Sequence, residues 1–130
     1  MVIKPTPLYV RNYKEGVELY QAGHYPQALG SLKKAIVHHP DFPDAYFLIA
    51  LIYDELGLFA DSISLFQKLL VLLPNDLQVY HAYGKTLLRA GKEKQGLKIL
   101  HKALKLNPKD AQIRSDLFQY YMRAQAPKKA

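Results

Sequence analysis

Residues 43–74 read PDAYFLIALIYDELGLFADSISLFQKLLVLLP, two apolar-periodic segments on either side of Gly57. In the first segment Tyr46, Ile49, Ala50 and Tyr53 follow the i, i+3, i+4, i+7 spacing of an amphipathic helix, and the second segment has a similar period. Gly57 stands where the end of a helix favours a residue that can adopt positive φ. The stretch therefore predicts two helices joined by a tight turn.

The same pattern recurs at an offset of 34 residues on both sides of this stretch, with Pro40, Pro74 and Pro108 in register. Three kinds of position repeat with the prolines: a turn glycine, a pair of small residues twelve positions apart, and a large apolar residue in the second helix. They are Gly23, Gly57 and Gly91; Gly16 with Ala28, Ala50 with Ser62, and Gly84 with Gly96; and Leu32, Phe66 and Leu100. We infer three helical hairpins whose small pairs let the two backbones approach closely.

The segments between hairpins contain helix-ending and helix-starting residues. They read HPDFPD, LPNDLQ and NPKDAQ, in which Pro stops one helix and Asp or Asn can cap the next. Pro26 is predicted in the first turn of a helix, where its missing N–H costs nothing. A seventh helix is predicted over residues 111–125, with one apolar side that would cover the open end of the stacked hairpins.

These features resemble the tetratricopeptide repeat, with its period of 34, its turn glycine and a closing Ala-Leu-x-Leu-x-Pro at 103–108. The resemblance implies an all-α, right-handed superhelical solenoid of seven helices. Its parts are an N-terminal extension (1–8), three repeats (9–42, 43–76 and 77–110), a capping helix (111–125) and a flexible tail (126–130). Asn12, Glu15, Glu93 and Gly96 depart from the residues usual in the family, and the second helix of repeat 3 is predicted to be the least stable.

The resemblance also implies a concave groove lined mainly by the first helix of each repeat and by the capping helix. The predicted peptide-binding residues are Tyr13, Val17, Tyr20, Phe47, Leu51, Asp54, His81, Lys85, Leu88, Arg89 and Gln119. The groove is expected to change from aromatic and apolar to polar and basic along the chain. An exposed aromatic stripe of this kind usually marks an interaction site, although residues 1–8 or a second copy of the chain could cover it.

One well-known use of the family is absent from this sequence. Members that hold the C-terminal carboxylate of a chaperone carry Lys, Asn and Arg at five groove positions, which here are Tyr13, Val17, Leu51, His81 and Lys85. Only Lys85 is basic, so the resemblance does not extend to that co-chaperone role.

The charge is segregated along the chain. The formal net charge of +7 divides into +2 for residues 1–42, −4 for residues 43–76 and +9 for residues 77–130. Lys94, Lys98, Lys102 and Lys105 recur along one helix face, which we interpret as a solvated convex stripe. Nucleic-acid binding is disfavoured because no aromatic residues alternate with these lysines.

Other function classes find little support in the composition. There is no cysteine, the longest apolar runs are too short for a membrane span, and the N-terminus has no signal-peptide core. A cytoplasmic, soluble protein is expected. The five histidines have no metal-ligand spacing, no nucleophile has an evident base, and no cofactor motif is present.

We therefore predict a non-catalytic protein–protein interaction module, an adaptor, scaffold or assembly factor that binds a peptide or helix with apolar anchors and an acidic end. The alternative is a self-associating subunit whose groove or open end is buried in a homo-oligomer.

Overall fold

A computed structural model describes residues 5–125 of the chain. The described residues form seven α-helices and no strand, so the prediction of an all-α repeat fold is confirmed. The helices are α1 (Leu8–Gln21), α2 (Tyr25–His38), α3 (Pro43–Glu55), α4 (Phe59–Leu72), α5 (Leu77–Arg89), α6 (Glu93–Leu106) and α7 (Ala111–Gln125). The tail 126–130 and residues 1–4 of the extension lie outside the described residues.

The chain divides into two compact units, Met1–Leu72 and Leu73–Ala130. In the first unit α1 packs on α2, α2 on α3, and α3 on α4. Its core contains the fully buried Ala28, Leu32 and Ile52. In the second unit α5 packs on α6 and α6 on α7, around the buried Leu87, Leu100 and Ile113 among others.

The three turn glycines adopt the conformation that the sequence predicts. Gly23, Gly57 and Gly91 have φ angles of 81°, 77° and 81°. After each glycine the next backbone N–H reaches back to the last turn of the preceding helix: His24 to the Leu19 carbonyl at 2.8 Å, Leu58 to Tyr53 at 2.8 Å, and Lys92 to Leu87 at 2.9 Å. These bonds satisfy carbonyl groups that have no partner at the end of a helix, and they give all three hairpins the same turn.

The helix starts follow the prediction at two of the three connections. A carboxylate oxygen of Asp76 accepts a hydrogen bond from the Val79 N–H at 3.0 Å, and Asp110 does the same for Ile113 at 2.9 Å. At α3 the helix begins with Pro43 and has no side-chain cap. The ring of the preceding Phe42 packs against aromatic side chains of α1 instead, so packing replaces capping at this junction.

The small pairs lie where the two helices of a hairpin approach most closely. A Cβ added to Gly84 would lie 2.7 Å from Cγ of Leu100, and one added to Gly96 would lie 3.0 Å from the Gly84 carbonyl oxygen. Gly96 therefore departs from the usual alanine because there is no room for a methyl group. In repeat 2 the contact is polar, since Ser62 Oγ donates a 2.7 Å hydrogen bond to the Ala50 carbonyl.

A lysine–aromatic contact also repeats with the period of 34. Nζ of Lys68 lies 4.7 Å from the centre of the Tyr46 ring, and Nζ of Lys102 lies 5.3 Å from the Tyr80 ring. Both tyrosines are buried, and each contact joins the second helix of a hairpin to the first. In repeat 1 the tyrosine position holds Asn12, so this arrangement cannot form there.

The contrast between two glycines gives a direct test of the close approach. Gly84→Ala should destabilise the protein by about 1–2 kcal/mol, because the added methyl group overlaps the buried Leu100 side chain. Gly30→Ala places the same methyl group in open space on α2 and should stabilise by roughly 0.5–1 kcal/mol. Urea unfolding followed by circular dichroism measures both, and equal effects of the two substitutions would contradict the packing argument.

Candidate functional site

The second unit contains a cleft of about 780 Å³ bounded by α5, α6 and α7, here named the α5–α7 cleft. Its lining comprises Lys85, Leu88, Arg89, Glu93, Leu100, Asp116, Gln119, Tyr120, Arg123 and Ala124. Four of these, Lys85, Leu88, Arg89 and Gln119, are residues that the sequence predicts for peptide binding. His81 is also predicted, but it contacts a residue of the cleft rather than lining it.

Two polar contacts position α7 as one wall of the cleft. Nε2 of His81 on α5 lies 2.5 Å from Oδ2 of Asp116 on α7, and both side chains are mostly shielded from solvent. Near the start of α6, Glu93 forms a hydrogen bond with the Tyr120 side chain of α7. These two contacts join α7 to α5 and to α6.

The lining of the cleft contains both apolar and charged side chains. Leu88 and Leu100 provide an apolar wall, and Leu100 is fully buried. Lys85 and Arg123 are exposed, on α5 and α7 respectively. The carboxylates of Glu93 and Asp116 already have hydrogen-bond partners within the protein. Cationic side chains outnumber carboxylates in the lining, so the cleft suits a ligand with an apolar group and a negative charge.

The remaining predicted residues lie on α1 and α3 of the first unit. Tyr13, Val17, Tyr20 and Leu51 are half-buried and pack against the core of that unit. Phe47 is also half-buried, with its ring centre 6.1 Å from that of Phe66. The expected exposed aromatic stripe is therefore a partly covered surface whose rings also contribute to packing.

Burial changes the ionisation of two tyrosines on this surface. It raises the pKa of Tyr13, with a smaller contribution from the negative charge of Asp44. It also raises the pKa of Tyr20, to which Glu55, Tyr25 and Asp54 add. Both phenols therefore stay protonated at neutral pH and can donate hydrogen bonds.

The structure buries Asp54, which the sequence predicts as a peptide-binding residue. It is 9 % exposed and belongs to the buried residues of α3. Asp54 therefore does not offer an open carboxylate to a ligand.

Residues 13–76 match one sequence model of the tetratricopeptide repeat, and residues 77–110 match another. The chain belongs to the tetratricopeptide repeat family. The two matches are contiguous and span the six helices of the three hairpins, apart from the first residues of α1.

One known protein is similar to this chain in sequence. The Protein CTR9 homolog of Arabidopsis thaliana is 28 % identical over 102 residues, which are 78 % of this chain and 9 % of that protein. This chain therefore spans only a small part of that relative.

Two solved structures have a similar fold. The first tetratricopeptide repeat domain of Spaghetti (RPAP3), bound to an HSP90 peptide, has a TM-score of 0.81 at 18 % identity, over 92 % of this chain and 94 % of that one. The tetratricopeptide repeat domain of Arabidopsis OM64 also has a TM-score of 0.81, at 16 % identity over 89 % and 96 % of the two chains. At these identities the likeness concerns the fold alone.

Sequence reasoning missed several residues of the cleft in this tetratricopeptide repeat protein. On α7 the sequence predicts Gln119 for peptide binding, but the α5–α7 cleft is also lined by Asp116, Tyr120 and Arg123. The available signal was the seven-residue spacing of Asp116 and Arg123, which places both on one face of α7 with Gln119 and Tyr120.

Metal clusters and membrane-spanning helices are both absent from the part of the chain that the structure describes. Within residues 5–125 no group of three or more His, Cys, Asp or Glu side chains could hold a metal ion. None of the seven helices described combines the length and apolar character required to cross a membrane.

The hydrogen bond between α6 and α7 can be tested through ionisation. The carboxylate of Glu93 raises the pKa of Tyr120 to about 12, from an ordinary 10.0, because it favours the protonated phenol. Glu93→Gln should lower this pKa towards 10.0, measured by NMR of tyrosine labelled with ¹³C on the ring. Gln119→Ala, in the same cleft, is the control and should leave the pKa of Tyr120 near its native value.

The same shift has a consequence for stability at alkaline pH. Because the pKa of Tyr120 is higher in the folded protein, this bond makes its full contribution to the free energy of unfolding below about pH 10. That contribution is lost as the pH rises towards 12. If the pKa of Tyr120 were unchanged in Glu93→Gln, the bond would not join α7 to α6.

Proposed function

We propose that this protein is an interaction module that binds a peptide segment of another protein, with an apolar residue and a neighbouring acidic residue of that peptide in the α5–α7 cleft. The observation that carries the proposal is the composition of the cleft. Its lining combines apolar side chains with exposed cations, while both of its carboxylates have internal partners.

The apolar wall would supply most of the binding free energy. Leu88 and Ala124 can contact one apolar side chain, and burying such a side chain fully contributes about 1.5–3 kcal/mol. Recognition of peptides commonly uses a few anchors of this kind within a larger neutral contact. A peptide with one apolar anchor therefore suits the lining of the cleft.

The cations would select the sequence around that anchor. Lys85 and Arg123 lie on different helices, so a carboxylate between them could contact both walls of the cleft. The surplus of positive charge extends over residues 77–130, which carry twelve Lys or Arg against three Asp or Glu. Such a field favours acidic partners and raises their association rate.

The family supports binding as the type of function. Repeat proteins of this kind use extended surfaces to hold other chains, and the Spaghetti domain of similar fold is bound to the HSP90 peptide SRMEEVD. At four of the five positions where family members hold a chaperone carboxylate, this chain has Tyr13, Val17, Leu51 and His81, and only Lys85 at the fifth is basic. We therefore propose an internal acidic segment as the ligand, rather than a chaperone C-terminus.

The surface of α1 and α3 is proposed as a second contact region for partner proteins. Its half-buried aromatic rings offer apolar contact, and the protonated phenols of Tyr13 and Tyr20 offer hydrogen-bond donors. The lack of cysteine fits a reducing compartment, and we propose the cytoplasm as the site of this function.

A displayed library of random peptides tests the proposal directly, because selection requires no purified partner. Selection on the full chain should enrich peptides in which Asp or Glu lies beside Leu, Ile or Phe. The double variant Lys85→Glu/Arg123→Glu should bind the enriched peptides at least tenfold more weakly, because both cations of the cleft are reversed. Affinities are measured by isothermal titration calorimetry with synthetic peptides.

The control variant is Lys92→Glu/Lys109→Glu, which makes the same change in net charge at exposed lysines outside the α5–α7 cleft. It should retain most of the affinity of the unchanged chain for the enriched peptides. If both double variants weakened binding equally, the overall charge rather than the cleft would explain the loss of affinity. A library with no enriched peptide would contradict the proposal. Sedimentation equilibrium of the free chain tests self-association, the alternative function.

A further inference from the structure

A second cavity of the second unit, of about 620 Å³, lies outside the α5–α7 cleft and shares no lining residue with it. Helices α5 and α6 alone provide its lining, which consists of Tyr83, Leu87, Gln95, Lys98, Ile99, His101, Lys102 and Lys105. It is named the lysine cavity below. The sequence predicts that the lysines of α6 form a solvated stripe. They are exposed as predicted, and three of them also line an apolar recess.

The charges around this recess all have the same sign. Lys98, Lys102 and Lys105 are exposed, and they lie within one face of α6 because they are four and three residues apart. His101 lies beside them and forms a 3.0 Å hydrogen bond with the Tyr121 hydroxyl. Among the lining residues, all of which the structure describes, there is no Asp or Glu.

The other two repeats show which of these lysines the hairpin itself requires. Lys102 has counterparts in Lys34 and Lys68, and its ammonium group lies near the Tyr80 ring. Lys98 instead corresponds to Gly30 and Ser64, and Lys105 corresponds to Val37 and Val71. The hairpin therefore forms without a lysine at these two positions, and packing gives no reason for either charge.

We infer that the lysine cavity is a docking surface for an acidic amphipathic segment of a partner protein. Its accessible apolar surface consists of the partly exposed Ile99 and the aliphatic parts of the lysine side chains, since Leu87 is fully buried. This surface suits a Leu- or Phe-like side chain, and the rim suits carboxylates on both sides of that side chain. Nucleic acid fits the lining less well. Apart from His101, Tyr83 is the one lining residue whose ring could stack on a base, and Tyr83 is only 7 % exposed.

This surface is independent of the α5–α7 cleft. On α6 the cleft uses Glu93 and Leu100, whereas the lysine cavity uses Lys98, Ile99 and two further lysines. One unit can therefore hold two acidic segments at once. Such an arrangement would allow the protein to join two partner chains, or to hold one partner at two places with increased avidity.

The test uses a fluorescein-labelled peptide of repeated Glu-Glu-Leu-Leu units, measured by fluorescence anisotropy with the full chain at about 0.15 M salt. The variant Lys98→Glu/Lys105→Glu should weaken one class of binding sites by at least tenfold. The variants Lys85→Glu/Arg123→Glu and Lys92→Glu/Lys109→Glu change the net charge equally and should leave that class of sites intact. Circular dichroism confirms that each variant is folded.

Two further probes identify what the surface recognises. A Glu-Glu-Ser-Ser peptide of equal charge should bind at least tenfold more weakly than the Glu-Glu-Leu-Leu peptide, because it has no group for the apolar surface. A single-stranded oligothymidine that binds more tightly than the Leu peptide, and is released by the same lysine variant, would assign the surface to nucleic acid. Failure of the Leu peptide to bind, or equal loss with all three variants, would overturn the inference.

The outcome is separable from that of the proposed function. Loss of peptide binding in the Lys98→Glu/Lys105→Glu variant concerns the lysine cavity, and loss in the Lys85→Glu/Arg123→Glu variant concerns the cleft. Either surface can fail its test while the other passes.

Discussion

The close approach of two helices at a pair of small residues is the constraint on which each hairpin depends. At Gly84 and Gly96 the backbones are so near that even a methyl group has no place. The large residues around the crossing can then pack in layers, as fully buried Leu100 does in the second unit. The α5–α7 cleft and the lysine cavity are both formed in part by residues near this crossing, so their shape depends on it.

Much of the fold could be predicted from the sequence because its determinants are local. A positive φ at Gly23, Gly57 and Gly91, a proline in the first turn of α2, and carboxylate caps at Asp76 and Asp110 each depend on a few neighbouring residues. Because these local signals recur with a period of 34, the sequence also predicts that they belong to three similar hairpins. The lysine–tyrosine contacts of Lys68 and Lys102 repeat with the same period, but it is the packing of the paired helices that brings the ammonium groups to the rings.

The site was less predictable because it depends on contacts between distant residues. Lys85, Leu88, Arg89 and Gln119 could be assigned from their repeat positions. The partners of the acidic residues could not, since His81 meets Asp116, and Glu93 meets Tyr120, only when α7 packs beside α5 and α6. Likewise the burial of Asp54 depends on the packing of whole helices, which the pattern of a single helix does not reveal.

The spacing of the small pairs has a consequence for how such a chain can change in length. In all three hairpins the two small residues are twelve positions apart, with the turn glycine seven positions after the first. One residue inserted between a small residue and its glycine would rotate the preceding part of the helix by about 100° and carry the small residue out of the crossing. Insertions and deletions should therefore be excluded from the hairpins and confined to the connections near residues 39–42, 73–76 and 107–110. Hairpins of this kind can be lost or gained only as whole units of 34 residues.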